Sequence, residues 1–323
     1  QFSIKYSMNV VFMGTPEFAV PSLKYLIESK YNVVSVITQT DKPKGRKGKP
    51  EASPVKNIAL GAGLPVIQPE NVNSEQAIAK LEKLNPDVVV VVAFGQKISD
   101  KILNLPKHKC VNIHASLLPK YRGAAPINWA IVNGEKETGI TTIIMSSKMD
   151  AGEVIVRNSL TIDSEETAGE LGDRLSKLGA ETLSETLMQI ETGNAKYTKQ
   201  DEGLVSLAPK IKKKDGLINW NQGEEKIHDF VRGMNPKPSA YTFLMKNNSK
   251  ERIIILKTER DNPSHNGAVT APGTIMEISS QGIRVATENG SIWIKEVKPE
   301  GKRMMSAAAF SRGHDLKANS LFQ

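Results

Sequence analysis

The 323-residue sequence predicts an α/β chain in which a parallel-sheet domain is followed by a small β-barrel. Over roughly the first 195 residues, short β-branched runs alternate with helical stretches, the grammar of βαβ units. Val88–Ala93 reads Val-Val-Val-Val-Val-Ala without polar alternation, as a central strand buried on both faces must. Beyond residue 207 the pattern changes to short strands at close spacing, the grammar of a small barrel.

The elements follow in order. Asn9–Met13 forms a strand, Phe18–Glu28 a helix and Val33–Ile37 the next strand, with Thr15 and Pro16 as N-cap and first residue of the helix. Cys110–Ile113, Gly139–Met145 and Val154–Leu160 are further strands. Leucines 171, 175, 178, 183 and 187 then mark a helix from Thr167 to about Ile190. Gly193–Asp215 is polar, holds Pro209 and ends in Lys-Ile-Lys-Lys-Lys, which reads as an extended linker. After a helix over Glu224–Arg232, strands are expected at 240–245, 252–258, 273–278, 283–287 and 291–297, the last two joined by a type I′ turn at Asn289-Gly290. Five such strands suit an oligonucleotide/oligosaccharide-binding (OB-like) barrel or a generic supporting β domain. The layout is thus 1–7, a tag or extension ahead of Met8; 8–195, the parallel-sheet domain; 196–210, the linker; and 211–323, the basic barrel.

Composition narrows the class. Hydrophobic residues make up 39% and charged residues 24%, ordinary globular usage. The single cysteine, Cys110, has no internal disulfide partner, and five histidines with one cysteine offer no zinc tetrad, so no metal and a reducing, cytoplasmic setting are expected. The longest apolar run, Val88–Phe94, falls far short of the roughly 20 residues of a membrane span. Net charge is +8, and residues 201–323 carry 19 basic against 14 acidic side chains, which suits a polyanionic partner or simply a basic enzyme.

Several segments carry chemistry. In a strand, Asn112, His114 and Ser116 share one face at the carboxyl end, where open α/β sheets place ligands. His114 reads either as a catalytic group or as a core histidine with its bonds satisfied. Pro119–Pro126 is a loop in which Arg122 is an anion clamp or a solvated charge. Met149-Asp150-Ala151-Gly152 puts a carboxylate in a tight turn, with Gly152 supplying positive φ. The first strand-to-helix turn, Gly14-Thr15-Pro16-Glu17, has one glycine where a dinucleotide fold needs three, which argues against a nicotinamide enzyme. Between Thr38 and Ser53, Lys42, Lys44, Arg46, Lys47 and Lys49 crowd a loop punctuated by two prolines and two glycines, suited to a phosphate backbone or to solvent.

Together these segments resemble the methionyl-tRNA formyltransferase family of folate-dependent enzymes, from Met8 nearly to the end. The resemblance lies in Gly14-Thr15-Pro16-Glu17-Phe18, in Asn112-x-His114 running through Ser116-Leu117-Leu118-Pro119-x-x-Arg122-Gly123 to Pro126, and in Met149-Asp150-Ala151-Gly152. The marks after the first are similar to those of formyltransferases acting on small amines. The basic loop, the barrel and Asn235-Pro236 are similar to the tRNA-directed branch. Arg46-Lys47-Gly48 departs from relatives that often place glycine directly after the arginine.

The resemblance implies a Rossmann-like formyltransferase domain and an OB-like tRNA-binding domain. It implies formyl transfer from 10-formyltetrahydrofolate to the methionine amine of charged initiator tRNA by a monomer. Asn112 and His114 would stabilise the oxyanion and Asp150 would assist proton transfer. Phe94, Gly95, Ser116, Leu117, Leu118, Pro119 and Asp150 would hold the folate. Lys42, Lys44, Arg46, Lys47 and Lys49, with Lys212, Lys213 and Lys214, would meet tRNA. A small amine such as an amino-sugar nucleotide is the competing acceptor. A non-catalytic RNA-binding protein is argued against by Asn112, His114 and Asp150 together.

Overall fold

A computed structural model describes residues 7–43, 48–246, 249–261 and 270–323. They form two compact units: the described parts of Gln1–Gly123 with Glu137–Leu160 and Gly172–Ala208, and Ala124–Lys136 with Thr161–Leu171 and the described parts of Pro209–Gln323.

The first unit is built on seven strands: β1 (Asn9–Gly14), β2 (Asn32–Ile37), β3 (Val66–Ile67), β4 (Val88–Val92), β5 (Cys110–His114), β6 (Glu137–Ile144) and β7 (Val154–Thr161). Their order is β7-β6-β5-β4-β1-β2-β3. The strands from β5 to β3 run parallel, and β6 is antiparallel to β5, with Val111 opposite Ile144 and His114 opposite Thr141. Every valine of β4 is buried, as the unbroken run predicts, and each contributes about 1.5–3 kcal/mol by burial. The β1–β4 register, Val10 on Val88 through Gly14 on Val92, brings their carboxyl ends to one edge.

Capping differs from expectation at the first helix. Pro16, not Thr15, precedes the short helical turn Glu17–Ala19, and no side chain caps it; α1 proper is Val20–Glu28. The Thr15 hydroxyl instead donates to the Phe94 carbonyl at 3.0 Å, because the adjacent β4 strand delivers that acceptor beside it. By contrast α2 (Pro54–Gly61) has a side-chain cap, with Ser53 accepting from the Lys56 amide. The segment read as an extended linker also differs. Val154 and Thr198 exchange both backbone hydrogen bonds, at 2.8 and 2.9 Å, and Leu207–Ala208 pairs with Arg122–Gly123. Residues up to Ala208 are thus knitted into the first unit, because backbone pairing outweighs the solvation of their polar side chains.

In the second unit, β8 (Ala240–Lys246), β9 (Ser249–Arg260), β10 (Ile275–Ser279), β11 (Gly282–Ala286) and β12 (Ser291–Pro299) make an antiparallel sheet of order β8-β9-β12-β11-β10. The tail closes it. Leu321 bridges Thr274 beside β10, Phe322 bridges Leu244 of β8, and Phe243 and Gln323 exchange hydrogen bonds at 2.8 and 2.9 Å. The core gathers Ile253, Ile255, Ile283, Ile294, Phe310 and Phe322. The β11–β12 hairpin forms where expected, but not through a type I′ turn. Four residues separate the strands, Thr287 donates to the Gly290 carbonyl at 3.0 Å, and neither Asn289 nor Gly290 has positive φ. A loop of that length reverses the chain without the left-handed pair that a two-residue loop requires.

Among the described residues no helix is long and apolar enough to cross a membrane. Cys110 opens β5 inside the first core, and burial pushes its thiol up to about 12. The native chain is therefore expected to resist a thiol-specific reagent near pH 8 and to react fully once unfolded in denaturant. Rapid labelling of the native chain would contradict this burial.

Candidate active site

Strand periodicity places Asn112 and His114 on one face of β5, and the loop between β6 and β7 carries Asp150 back over that face. Asp150 Oδ1 lies 3.5 Å from Asn112 Nδ2. Asp150 Oδ2 accepts from the Gly123 amide at 2.9 Å and lies 3.6 Å from His114 Nδ1. His114 Nε2 is 2.9 Å from the Tyr121 carbonyl. Since a carbonyl only accepts, Nε2 carries a hydrogen, and Nδ1 is the nitrogen left to change its protonation.

Asp150 itself has φ 49, whereas Gly152 does not take the positive φ expected of it. An aspartate tolerates the left-handed region, and the glycine serves close approach instead, since a Cβ there would lie 1.6 Å from the Ile144 carbonyl oxygen. Arg122 is buried, so it is neither a free clamp nor a solvated charge. Its guanidinium reaches both oxygens of Glu202 at 2.8 and 3.2 Å and its Nε donates to Gln200 at 3.0 Å. The Arg122 hydrogen bond holds the Glu202 carboxyl below its usual range.

Ser116 does not extend the polar face, because β5 ends at His114. Its hydroxyl donates to the Lys120 carbonyl at 2.6 Å and its own carbonyl accepts from Thr141 at 2.7 Å. The same Thr141 oxygen accepts from the Leu118 amide at 3.1 Å, Leu118 packs with Ile143 and Val154, and the Leu118–Pro119 bond is cis. Leu117 lies against Gly139, where a Cβ would come 2.7 Å from its Cδ2. Phe94 is buried and Gly95 has φ 85; a side chain at Gly95 would collide with Gln39.

Of the basic residues, Lys42 donates to Gln39, Lys49 is exposed, and Lys44, Arg46 and Lys47 lie outside the described residues. The start of their loop is anchored by Asp41, which accepts from Lys56 and from Gln68, each at 2.7 Å. Lys212, Lys213 and Lys214 are exposed in the second unit. A cavity of about 600 Å³ in that unit, between the Val132–Lys136 segment and α3 (Glu224–Met234), contains none of the residues singled out by sequence. Among the described residues no three His, Cys, Asp or Glu side chains gather as metal ligands. Sequence reasoning missed Gln39, Gln200 and Glu202. Gln39 donates to the Phe94 carbonyl at 2.9 Å, and all three sit in polar segments without periodicity to mark them.

Residues 8–187 match the formyl transferase family and residues 210–315 match the formyl transferase, C-terminal domain, family. The chain is 46% identical over 310 residues to the methionyl-tRNA formyltransferase of Geobacter metallireducens, covering 96% of this chain and 97% of that protein. It belongs to the methionyl-tRNA formyltransferase family. The counterpart from Clostridioides difficile is 43% identical, with 96% and 98% covered. Membership in this family makes formyl transfer the reaction class and the chain an enzyme. Solved structures share the fold. The sugar 3N-formyl transferase WlaRD superposes with TM-score 0.64 at 20% identity, over 93% of this chain and 100% of that one. The methionyl-tRNA formyltransferase from Clostridium thermocellum gives 0.57 at 21%, over 80% and 95%. HypX from Aquifex aeolicus gives 0.64 at 18% over 97% of this chain, which spans about half of HypX, 48% of its length.

Gly152→Ala is expected to destabilise the first unit by at least about 1–3 kcal/mol, read as a lowered urea midpoint, because the Ile144 carbonyl cannot retreat without breaking β6. Unchanged stability would show that the turn has room to give.

Proposed function

We propose that the chain transfers the formyl group of 10-formyltetrahydrofolate to the methionine amine of charged initiator tRNA, in the cytoplasm, for translation initiation. The observation that carries the proposal is the convergence of Asn112, His114 and Asp150 on one face of β5, in a chain that aligns over nearly its whole length with enzymes of that name.

The amine attacks the formyl carbon as a neutral group while negative charge grows on the formyl oxygen; the bond from that carbon to the donor nitrogen of the folate then breaks, and the proton that the amine loses ends on that leaving nitrogen. Asn112 supplies an amide hydrogen to that oxygen; its contact to Asp150 is long and leaves donor capacity over. One such donor is typically worth about a hundredfold to a thousandfold in rate. His114, with Nε2–H spent on Tyr121, works through Nδ1, which donates when the ring is charged and is steadied by Asp150. Asp150, aimed by the Gly123 amide, receives the departing proton through water, assistance typically worth about a hundredfold to ten-thousandfold.

The folate, when bound, supplies the formyl group. Phe94, Gly95 and Ser116–Pro119 suit it as a preorganised apolar wall, because the Phe94 and Ser116 carbonyls and the Leu118 amide are already satisfied internally and need no water. The basic loop bearing Lys42, Lys44, Arg46, Lys47 and Lys49 and the exposed Lys212–Lys214 run of the barrel domain neutralise tRNA phosphates.

Transfer of labelled formyl, with charged initiator tRNA, uncharged tRNA and an amino-sugar nucleotide as parallel acceptors, tests the reading. Label is expected in the charged tRNA alone; label only in the sugar would overturn the acceptor. His114→Ala and Asp150→Asn are each expected to lower turnover by at least about a hundredfold with folding intact. Near-native turnover in either variant would refute the assigned roles. Arg46→Ala is expected to raise the KM for charged tRNA without weakening folate binding, and the native KM is expected to climb steeply from low to physiological salt. A KM indifferent to both changes would return the loop to a solvated role.

A further inference from the structure

We propose that Gln200 is a positioning residue for the reaction, clamping the backbone of the Asp150 turn so that the carboxylate stays on Gly123, Asn112 and His114. The inference rests on the reading that Asp150 takes part in transfer.

Antiparallel pairing of Thr198 with Val154 sets Gln200 opposite Gly152. There the Gln200 Nε2 donates to the Asp150 carbonyl and to the Gly152 carbonyl, each at 2.8 Å, while Oε1 accepts from Arg122 Nε at 3.0 Å. A carboxamide has two N–H donors and one carbonyl oxygen. Two carbonyls facing one end and a guanidinium facing the other fix its orientation, and both hydrogens are used. Gln200 is 9% exposed, so solvent is a poor substitute for these partners.

Arg122 makes the clamp directional. Its remaining nitrogens grip Glu202 in a two-pronged, charge-assisted pair, which holds the guanidinium against Gln200. The next residue, Gly123, donates its amide to Asp150 Oδ2 at 2.9 Å. Asp150 is therefore held at its carbonyl by Gln200 and at its carboxylate by Gly123, and Arg122 ties the two holds together. Within the turn itself Met149 is 73% exposed, the Ala151 amide reaches the Lys148 carbonyl at 3.4 Å and the Ser146 hydroxyl donates to the same carbonyl at 3.1 Å, so neither of these bonds reaches Asp150.

Gln200→Glu tests the clamp, since it preserves size and the acceptor toward Arg122 but removes both donors. Turnover and both KM values would be measured in the parent and in an Asp150→Asn background, together with thermal melting. Loosening the turn is expected to lower kcat by about tenfold to a hundredfold while leaving the KM for charged tRNA nearly unchanged. In the Asp150→Asn background the same change is expected to cost almost nothing, because the group being positioned is already gone. Equal fold losses in both backgrounds, or native kcat in Gln200→Glu, would overturn the proposal. If Gln200→Glu does not fold, Glu202→Gln replaces it, because that side chain is 74% exposed. A several-fold kcat loss that disappears with Asp150→Asn supports the clamp, and additivity or native kcat refutes it. An inactive Asp150→Asn beside a native Gln200→Glu would sink only the clamp, whereas a fully active Asp150→Asn would sink the catalytic reading beneath it.

Discussion

Asp150 reaches three partners at once where the chain two residues later passes hard against a strand. Gly152 lies so close to the Ile144 carbonyl that any side chain would be driven into it. That approach folds the β6–β7 connection back over β5 instead of letting it leave the sheet edge. It also turns Asp150 into the left-handed conformation from which its carboxylate faces inward. Without it, Asn112 and His114 would present a polar stripe with nothing charged above it, and the Gly123 amide would lose its acceptor.

Around this contact the site is built mostly from hydrogen bonds that chain segments make with one another, not from side chains left free. Thr141 receives the Leu118 amide and donates to the Ser116 carbonyl, and Ser116 spends its hydroxyl on Lys120. The Tyr121 carbonyl fixes the histidine tautomer. Such saturation lets the polar loops after β4 and β5 lie against buried apolar residues without stranded donors or acceptors. Against that background the long contacts of Asn112 and of His114 Nδ1 to Asp150 stand out chemically.

The elements that sequence predicts well are those whose cause is local. Five consecutive valines can bury both faces only in the middle of a parallel sheet, and the alternation through Asn112 and His114 announces a shared face. Gln200 and Glu202 announce nothing: they lie in a polar stretch, and only the pairing of Thr198 with Val154 carries them to the turn. The same holds for the tail that seals the barrel, where Leu321 and Phe322 are too short a run to read as a strand. Ser116 and Gly152 are visible as residues, yet the end of β5 takes Ser116 off the shared face, and close approach, not positive φ, accounts for Gly152. The end of a strand and the closeness of a neighbouring carbonyl are tertiary facts that neither period nor propensity encodes.

The Phe94 carbonyl illustrates what such saturation implies for recognition. It accepts from the Thr15 hydroxyl and from the Gln39 amide, which together occupy both of its lone pairs. A heterocycle resting against the Phe94–Gly95 turn therefore gains nothing by offering that oxygen a hydrogen. Selection at this corner falls to shape and to whatever acceptors the ring presents, so two ligands differing only in a hydrogen pointed at Phe94 would be indistinguishable there.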